Sequence, residues 1–230
     1  MNDIVRGFRR SRGGLVALLL AAAAAGCGEP TSALPFYRTA MMTPEWLSDR
    51  EANSPNTHRV AIFALTDQNG ATVSRATLEG KVTVVSFFFT RCGDVCPTTT
   101  RNIARLLRDL AGDENIQVLS HSVTPDRDSV PALHTFANSH EVTDGRWHLL
   151  TGRAGDISRL ARESYFVRLG SDSTYGVETI AHTESVLLVD GCGRLRGVYA
   201  GTLQLEMQRL REDVNALERD RCTSTRLGKL

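Results

Sequence analysis

Residues 81–110, KVTVVSFFFTRCGDVCPTTTRNIARLLRDL, decide how the rest of the chain is read. The first ten are almost continuously apolar and rich in β-branched and aromatic side chains, the composition of a strand buried on both faces. From Pro97 the period changes. Ile103, Leu106, Leu107 and Leu110 fall on one helical stripe, with proline in the first turn and Gly112 as the stop. Cys92 and Cys96 therefore occupy the turn between a central strand and a helix. A pair so placed can be a redox couple, a metal clamp or a disulfide that staples the turn.

Strand and helix patterns alternate outward from this unit. IQVLSHSV (116–123) reads as a strand, DSVPALHTFANSH (128–140) as a helix, RWHLLTG (146–152) as an extended segment and AGDISRLARESY (154–165) as a helix. TESVLLVDGCGRLRGVYAG (183–201) predicts a hairpin turning at Gly191-Cys192-Gly193. In the closing helix, Leu203, Met207, Leu210, Val214 and Leu217 form a stripe short enough to dock on a sheet rather than sustain a coiled coil. Upstream, Asn69-Gly70 marks a second hairpin turn between extended runs. The order predicts an α/β fold with a central sheet flanked by helices. Ligands of such folds gather beyond the carboxyl ends of the strands, where the two cysteines lie.

The chain of 230 residues suits one domain, and a formal charge of +1 excludes a dedicated nucleic-acid binder. The first 26 residues differ from the rest. Arg6, Arg9, Arg10 and Arg12 precede the apolar run LVALLLAAAAA (15–25), which is shorter than the roughly 20 residues a spanning helix needs. Ala25-Gly26-Cys27 resembles a bacterial lipobox, so residues 1–26 are expected to be a lipoprotein-type signal peptide and Cys27 the lipidated residue. An uncleaved anchor and ordinary secretion are the alternatives, and all three place the domain outside the cytoplasm. Removing that segment takes away four arginines and Asp3, which moves the formal charge to about −2. Residues 27–57, mixed in Pro, Ser, Thr and Asn, are expected to be a flexible tether, residues 58–219 the domain, and residues 220–230 a disordered tail.

Thiols at the start of a helix feel its positive end, which favours thiolate, the form that attacks disulfides and binds metals. Three residues separate Cys92 from Cys96, one more than in a thioredoxin-type motif, enough to bring both sulfurs to one side. Converging sulfurs suit a soft cation, and outside the cytoplasm copper is the leading candidate. A third ligand, usually imidazole, is then expected. His182, which follows the loop LGSDSTYGVETIA (169–181), is the first choice and His121 the second. His58, His134, His140 and His148 are the other histidines, and the last three, on a helix or a strand, need no such role.

FFFTRCGDVCPTTTRNIARL, SVTPDRDSVPALHTFA, WHLLTG and AHTESVLLVDGCGRLRGVYAG, in this order and spacing, resemble the Sco/SenC family of copper chaperones for cytochrome c oxidase assembly. The resemblance implies a thioredoxin-like fold with a central mixed sheet, and one Cu(I) or Cu(II) ion held by Cys92, Cys96 and His182. It implies, for the segment from Thr124 to Asp128, a structural or docking role. The implied protein is a membrane-tethered, periplasm-facing metallochaperone that hands copper to an oxidase subunit or to another copper chaperone, with no enzymatic turnover. Gly93 stands where the family pattern usually has proline, Ala181 where an acidic or amide residue often precedes the histidine, and Gly191-Cys192 follow Asp190 where the pattern has proline.

Other readings of the same residues are a thiol-disulfide oxidoreductase that reduces the acceptor's cysteines, a structural disulfide, and a peroxidase using Cys92 with Thr90 and Arg91. Cys192 and Cys222 are expected to pair in the oxidising compartment. Asp94 is expected to cap the helix rather than ligate metal, because a hard carboxylate suits Cu(I) poorly.

Overall fold

The computed structural model describes residues 33–93, 95–169 and 184–219. Its centre is the predicted apolar run. β3 (Val82–Phe88) is buried at all seven positions and is paired on both sides. It runs parallel to β4 (Ile116–Ser122), which is in turn parallel to β5 (Trp147–Leu150). On its other side β3 pairs antiparallel with β6 (Ser185–Val189), and β6 with β7 (Leu195–Ala200). The resulting mixed sheet has the order β5-β4-β3-β6-β7. A separate hairpin, β1 (Ala64–Thr66) with β2 (Thr72–Ser74), turns at Gly70, whose φ of 81° only glycine adopts freely.

Strand alternation sends side chains to two cores. Val82, Val84 and Phe88 face α2 (Val95–Asp109), α3 (Val130–Ser139) and α5 (Gln204–Arg219). Val85 and Phe87 face the opposite layer, built from β1, β2 and α4 (Ala154–Ser164). Burial of each such side chain contributes about 1.5–3 kcal/mol. Between β3, β4 and β5 the buried hydroxyls of Ser86 and Ser120 meet at 2.7 Å, and the Trp147 indole N–H donates to Ser120 at 2.9 Å. The closing helix docks through Met207, Leu210, Val214 and Leu217, as expected from its stripe. Leu203 precedes the helix and is exposed.

The expected tether differs from the structure. From residue 33 onward the segment is packed on the sheet: Phe36 bridges to Glu45, α1 (Asp49–Ala52) begins with a capping box on Ser48, and Phe36, Leu47 and Ala52 form their own buried cluster. The cause is a pair of buried arginines on the β6–β7 hairpin. Arg196 donates to the carbonyls of Pro35 and Leu34 at 2.9 and 2.7 Å, and Arg194 to that of Ala52 at 3.1 Å. Asp190 accepts from both guanidinium groups, at 2.8 and 3.0 Å, and the face of Phe36 lies against both. A polar, aperiodic stretch is thus ordered by partners some 140 to 160 positions away. The expected signal segment, Cys27 and the expected tail lie outside the described residues.

Candidate metal centre

β3 ends at Phe88, and a turn closed by the Cys92 N–H donating to the Phe89 carbonyl at 3.1 Å leads to α2. Cys96 falls in the first turn of α2 and is 2% exposed; Cys92, half-buried, packs against the same core. The two are joined as a disulfide with Cα atoms 5.8 Å apart. The Cys96 N–H is directed at the Cys92 sulfur, 3.4 Å away. A helix-terminal N–H so directed is placed to stabilise a thiolate on Cys92 once the bond is reduced. Asp94 lies outside the described residues, and Arg91 is exposed.

The histidines separate clearly. His121 is fully buried on the face of the sheet opposite the cysteines, ringed by Phe63, Phe87 and Tyr165. Burial lowers its pKa from the ordinary 6.5 to about 4, an effect that the neighbouring backbone of Ser86 and Leu119 only partly opposes. The second-choice ligand is therefore corrected: the sheet itself stands between His121 and the sulfurs. His148 pairs with Asp67 at 3.0 Å, His58 meets the Ser164 carbonyl at 2.9 Å, and His140 stacks on Phe136. His134 meets Asn138 on the exposed side of α3. Among the described residues no three His, Cys, Asp or Glu side chains form a metal-holding group.

His182 lies outside the described residues, but the place where the chain resumes is defined. Two residues on, the Glu184 carbonyl accepts the Gly201 N–H at 2.7 Å. A Cβ at Gly201 would lie 2.6 Å from Val186 and 2.8 Å from the Thr99 methyl of α2, so only glycine permits this approach. Asn102 of α2 also donates to the Gly201 carbonyl at 2.8 Å. The return into β6 thus abuts α2 one turn after Cys96.

Residues 51–217 match the family model described as SCO1/SenC. The chain belongs to the SCO1/SenC family. Three solved structures carry the comparison further. A SCO1/SenC family lipoprotein from Bacillus anthracis is 28% identical, with a TM-score of 0.62 over 70% of this chain and 95% of that one. BsSco, a member of the Sco family of cytochrome c oxidase assembly proteins in which a disulfide switch was identified, is 26% identical, with a TM-score of 0.63 over 72% and 96%. Bradyrhizobium japonicum ScoI, solved with copper bound, is 30% identical, with a TM-score of 0.58 over 68% and 98%. The Sco fold is thioredoxin-like, which agrees with the mixed sheet and flanking helices described above.

Two departures from the Sco pattern acquire structural meaning. Gly93 is exposed, and a Cβ there would meet nothing within 4 Å among the described residues, so none of these requires glycine sterically. Cys192 is buried in the β6–β7 turn and disulfide-bonded, and Arg75 and Arg59 donate to its carbonyl at 3.0 and 3.3 Å. Its expected partner, Cys222, lies outside the described residues. The peroxidase reading loses its helper group, because the Thr90 hydroxyl donates to Asp128 at 2.6 Å. Neither composition nor periodicity points to Asp128; its signal is the second of two acids, closing the polar run Thr124 to Asp128 after a buried strand.

Proposed function

We propose that this Sco-family chain binds one copper ion through the thiolates of Cys92 and Cys96 and the imidazole of His182. It passes the ion by ligand exchange to the copper site of a respiratory oxidase subunit or to another copper chaperone. The observation that carries this reading is the joining of the two sulfurs at the N-terminus of α2, at the open end of the central strand. Soft sulfur donors held on one side favour copper, in either the Cu(I) or the Cu(II) state. Support comes from the copper bound by Bradyrhizobium japonicum ScoI and from the oxidase-assembly role of the family to which BsSco belongs.

Before copper can bind, the disulfide must open. A dithiol reductant supplies two electrons, becoming a disulfide itself, and two protons complete the thiols; metal binding then releases those protons. The return of the chain into β6 beside α2 supports His182 as the third donor. Lipidation of Cys27 would hold the domain to a membrane on the periplasmic side, in keeping with the lipoprotein from Bacillus anthracis. Among the described residues no helix is long and apolar enough to cross a membrane.

The disulfide also favours a second reading, a thiol-disulfide oxidoreductase acting on the acceptor's cysteines. His182→Ala in the full-length chain separates the two. Loss of copper retention with thiol exchange intact supports the chaperone. Unchanged copper content in this variant would remove His182 from the site.

A further inference from the structure

Thr90 is the second residue of the turn from Phe89 to Cys92. β3 has already ended at Phe88, so the Thr90 N–H has no strand partner. It meets instead the carboxylate of Asp128, 38 positions along the chain, at 3.4 and 3.3 Å from the two oxygens. The Thr90 hydroxyl donates to the same group at 2.6 Å. Ser122, at the end of β4, donates to it at 2.5 Å, and Thr124 at 3.0 Å. One carboxylate, 1% exposed, thereby ties together the ends of two parallel strands and the turn that carries Cys92.

The carboxylate is itself fixed. The N–H groups of Asp128 and Arg127 both donate to the Thr124 carbonyl, at 3.0 and 2.9 Å, and the Thr124 N–H donates to the Ser122 hydroxyl at 3.1 Å. The Val123 N–H donates to the Phe88 carbonyl at 2.9 Å, which locks this loop to the end of β3. A buried carboxylate is costly unless charge-assisted hydrogen bonds offset its desolvation, and here four donor groups do so. Two of the four belong to Thr90.

We propose that Asp128 is a positioning residue for the cysteine pair: by holding Thr90 it fixes the turn that presents the Cys92 sulfur to Cys96. The proposal rests on the reading of Cys92 and Cys96 as the functional pair, and it extends that reading to a residue that touches neither sulfur. A turn held in this way raises the effective concentration of one thiol at the other, and so sets how readily the pair closes. Loosening it favours the open dithiol.

The test is the equilibrium of the Cys92–Cys96 pair with glutathione in the full-length chain, read by alkylation and peptide mass mapping so that Cys192 is not counted. Asp128→Asn is expected to shift the equilibrium toward the dithiol by about tenfold, which corresponds to about 30 mV. Thr90→Val, which removes only the hydroxyl, should shift it in the same direction. Ser86→Ala removes a buried hydroxyl of β3 that meets Ser120 and takes no part in the Asp128 cluster, and should leave the equilibrium within about twofold of the parent. Should Asp128→Asn fail to fold by circular dichroism, Thr90→Val against Ser86→Ala decides. Equal behaviour of those two variants, or a folded Asp128→Asn with an unchanged equilibrium, would overturn the proposal. No copper enters the measurement, so a chain that holds none would sink the chaperone reading and leave this result standing.

Discussion

The backbone N–H of Cys96 lies 3.4 Å from the sulfur of Cys92, while the Cys96 sulfur is sunk in the core behind α2. The two thiols of the reduced protein are therefore unequal. Cys92 is half-buried and faces a helix-terminal donor, whereas Cys96 is 2% exposed. Iodoacetamide should alkylate Cys92 in the Cys96→Ser variant about tenfold faster at pH 7 than it alkylates Cys96 in the Cys92→Ser variant. Equal rates would show that the helix start does not differentiate the sulfurs.

The clamp on the N-terminal segment should be among the costliest features to break. Asp190 accepts from both Arg194 and Arg196, each buried, and its removal leaves two cations without that acceptor. Asp190→Ala is expected to lose about 3–5 kcal/mol in guanidinium unfolding, the cost of breaking a buried ion pair from one side. Phe36→Ala, which removes the ring beneath the same arginines, should also increase proteolysis within residues 33–57. Resistance equal to the parent's would mean that the segment is held by other contacts.

His121 gives the acid limb of stability a defined sign. Its native pKa, about 4, lies below the ordinary 6.5 because burial disfavours the charged ring. The unfolded chain therefore binds the extra proton first. Its contribution is fully present above about pH 6.5 and is lost as the pH falls toward 4, by about 3 kcal/mol in all. His121→Leu, close in volume, should flatten the stability profile over this window. A profile parallel to the parent's would place the acid sensitivity elsewhere.

Two glycines near the site should respond in opposite ways to alanine. At Gly201 a Cβ would crowd Val186, Thr99 and the Glu184 carbonyl within 3 Å, so Gly201→Ala should cost about 1–3 kcal/mol. At Gly93 nothing among the described residues lies within 4 Å, so Gly93→Ala should stabilise by about 0.4–1 kcal/mol through the unfolded state. Thermal midpoints of the two variants moving in the same direction would contradict this account of the strand-to-helix junction.

The strand, turn and helix around Cys92 and Cys96 were legible because burial on both faces and the helical stripe leave strong local patterns. The hairpin turns at Gly70 and Gly193 were legible for the same reason, since positive φ selects glycine. The docked segment from residue 33 was not, because its order comes from Arg194, Arg196 and Asp190, charged residues that read as ordinary surface in the sequence. Asp128 was hidden in the same way, its partners lying up to 38 positions away. His121 could have been placed. In β4 the odd positions Leu119 and His121 share a face with Val85 and Phe87, and counting parity along the strand puts His121 behind the sheet.

Copper binding at the cysteine pair is tested by a copper titration of the reduced full-length chain, with bound metal counted per chain and thiolate-to-copper absorption followed. One tightly held equivalent is expected, lost in Cys92→Ser and in Cys96→Ser. A reduced chain that retains no copper while still exchanging disulfides would contradict it and leave the pair a redox couple.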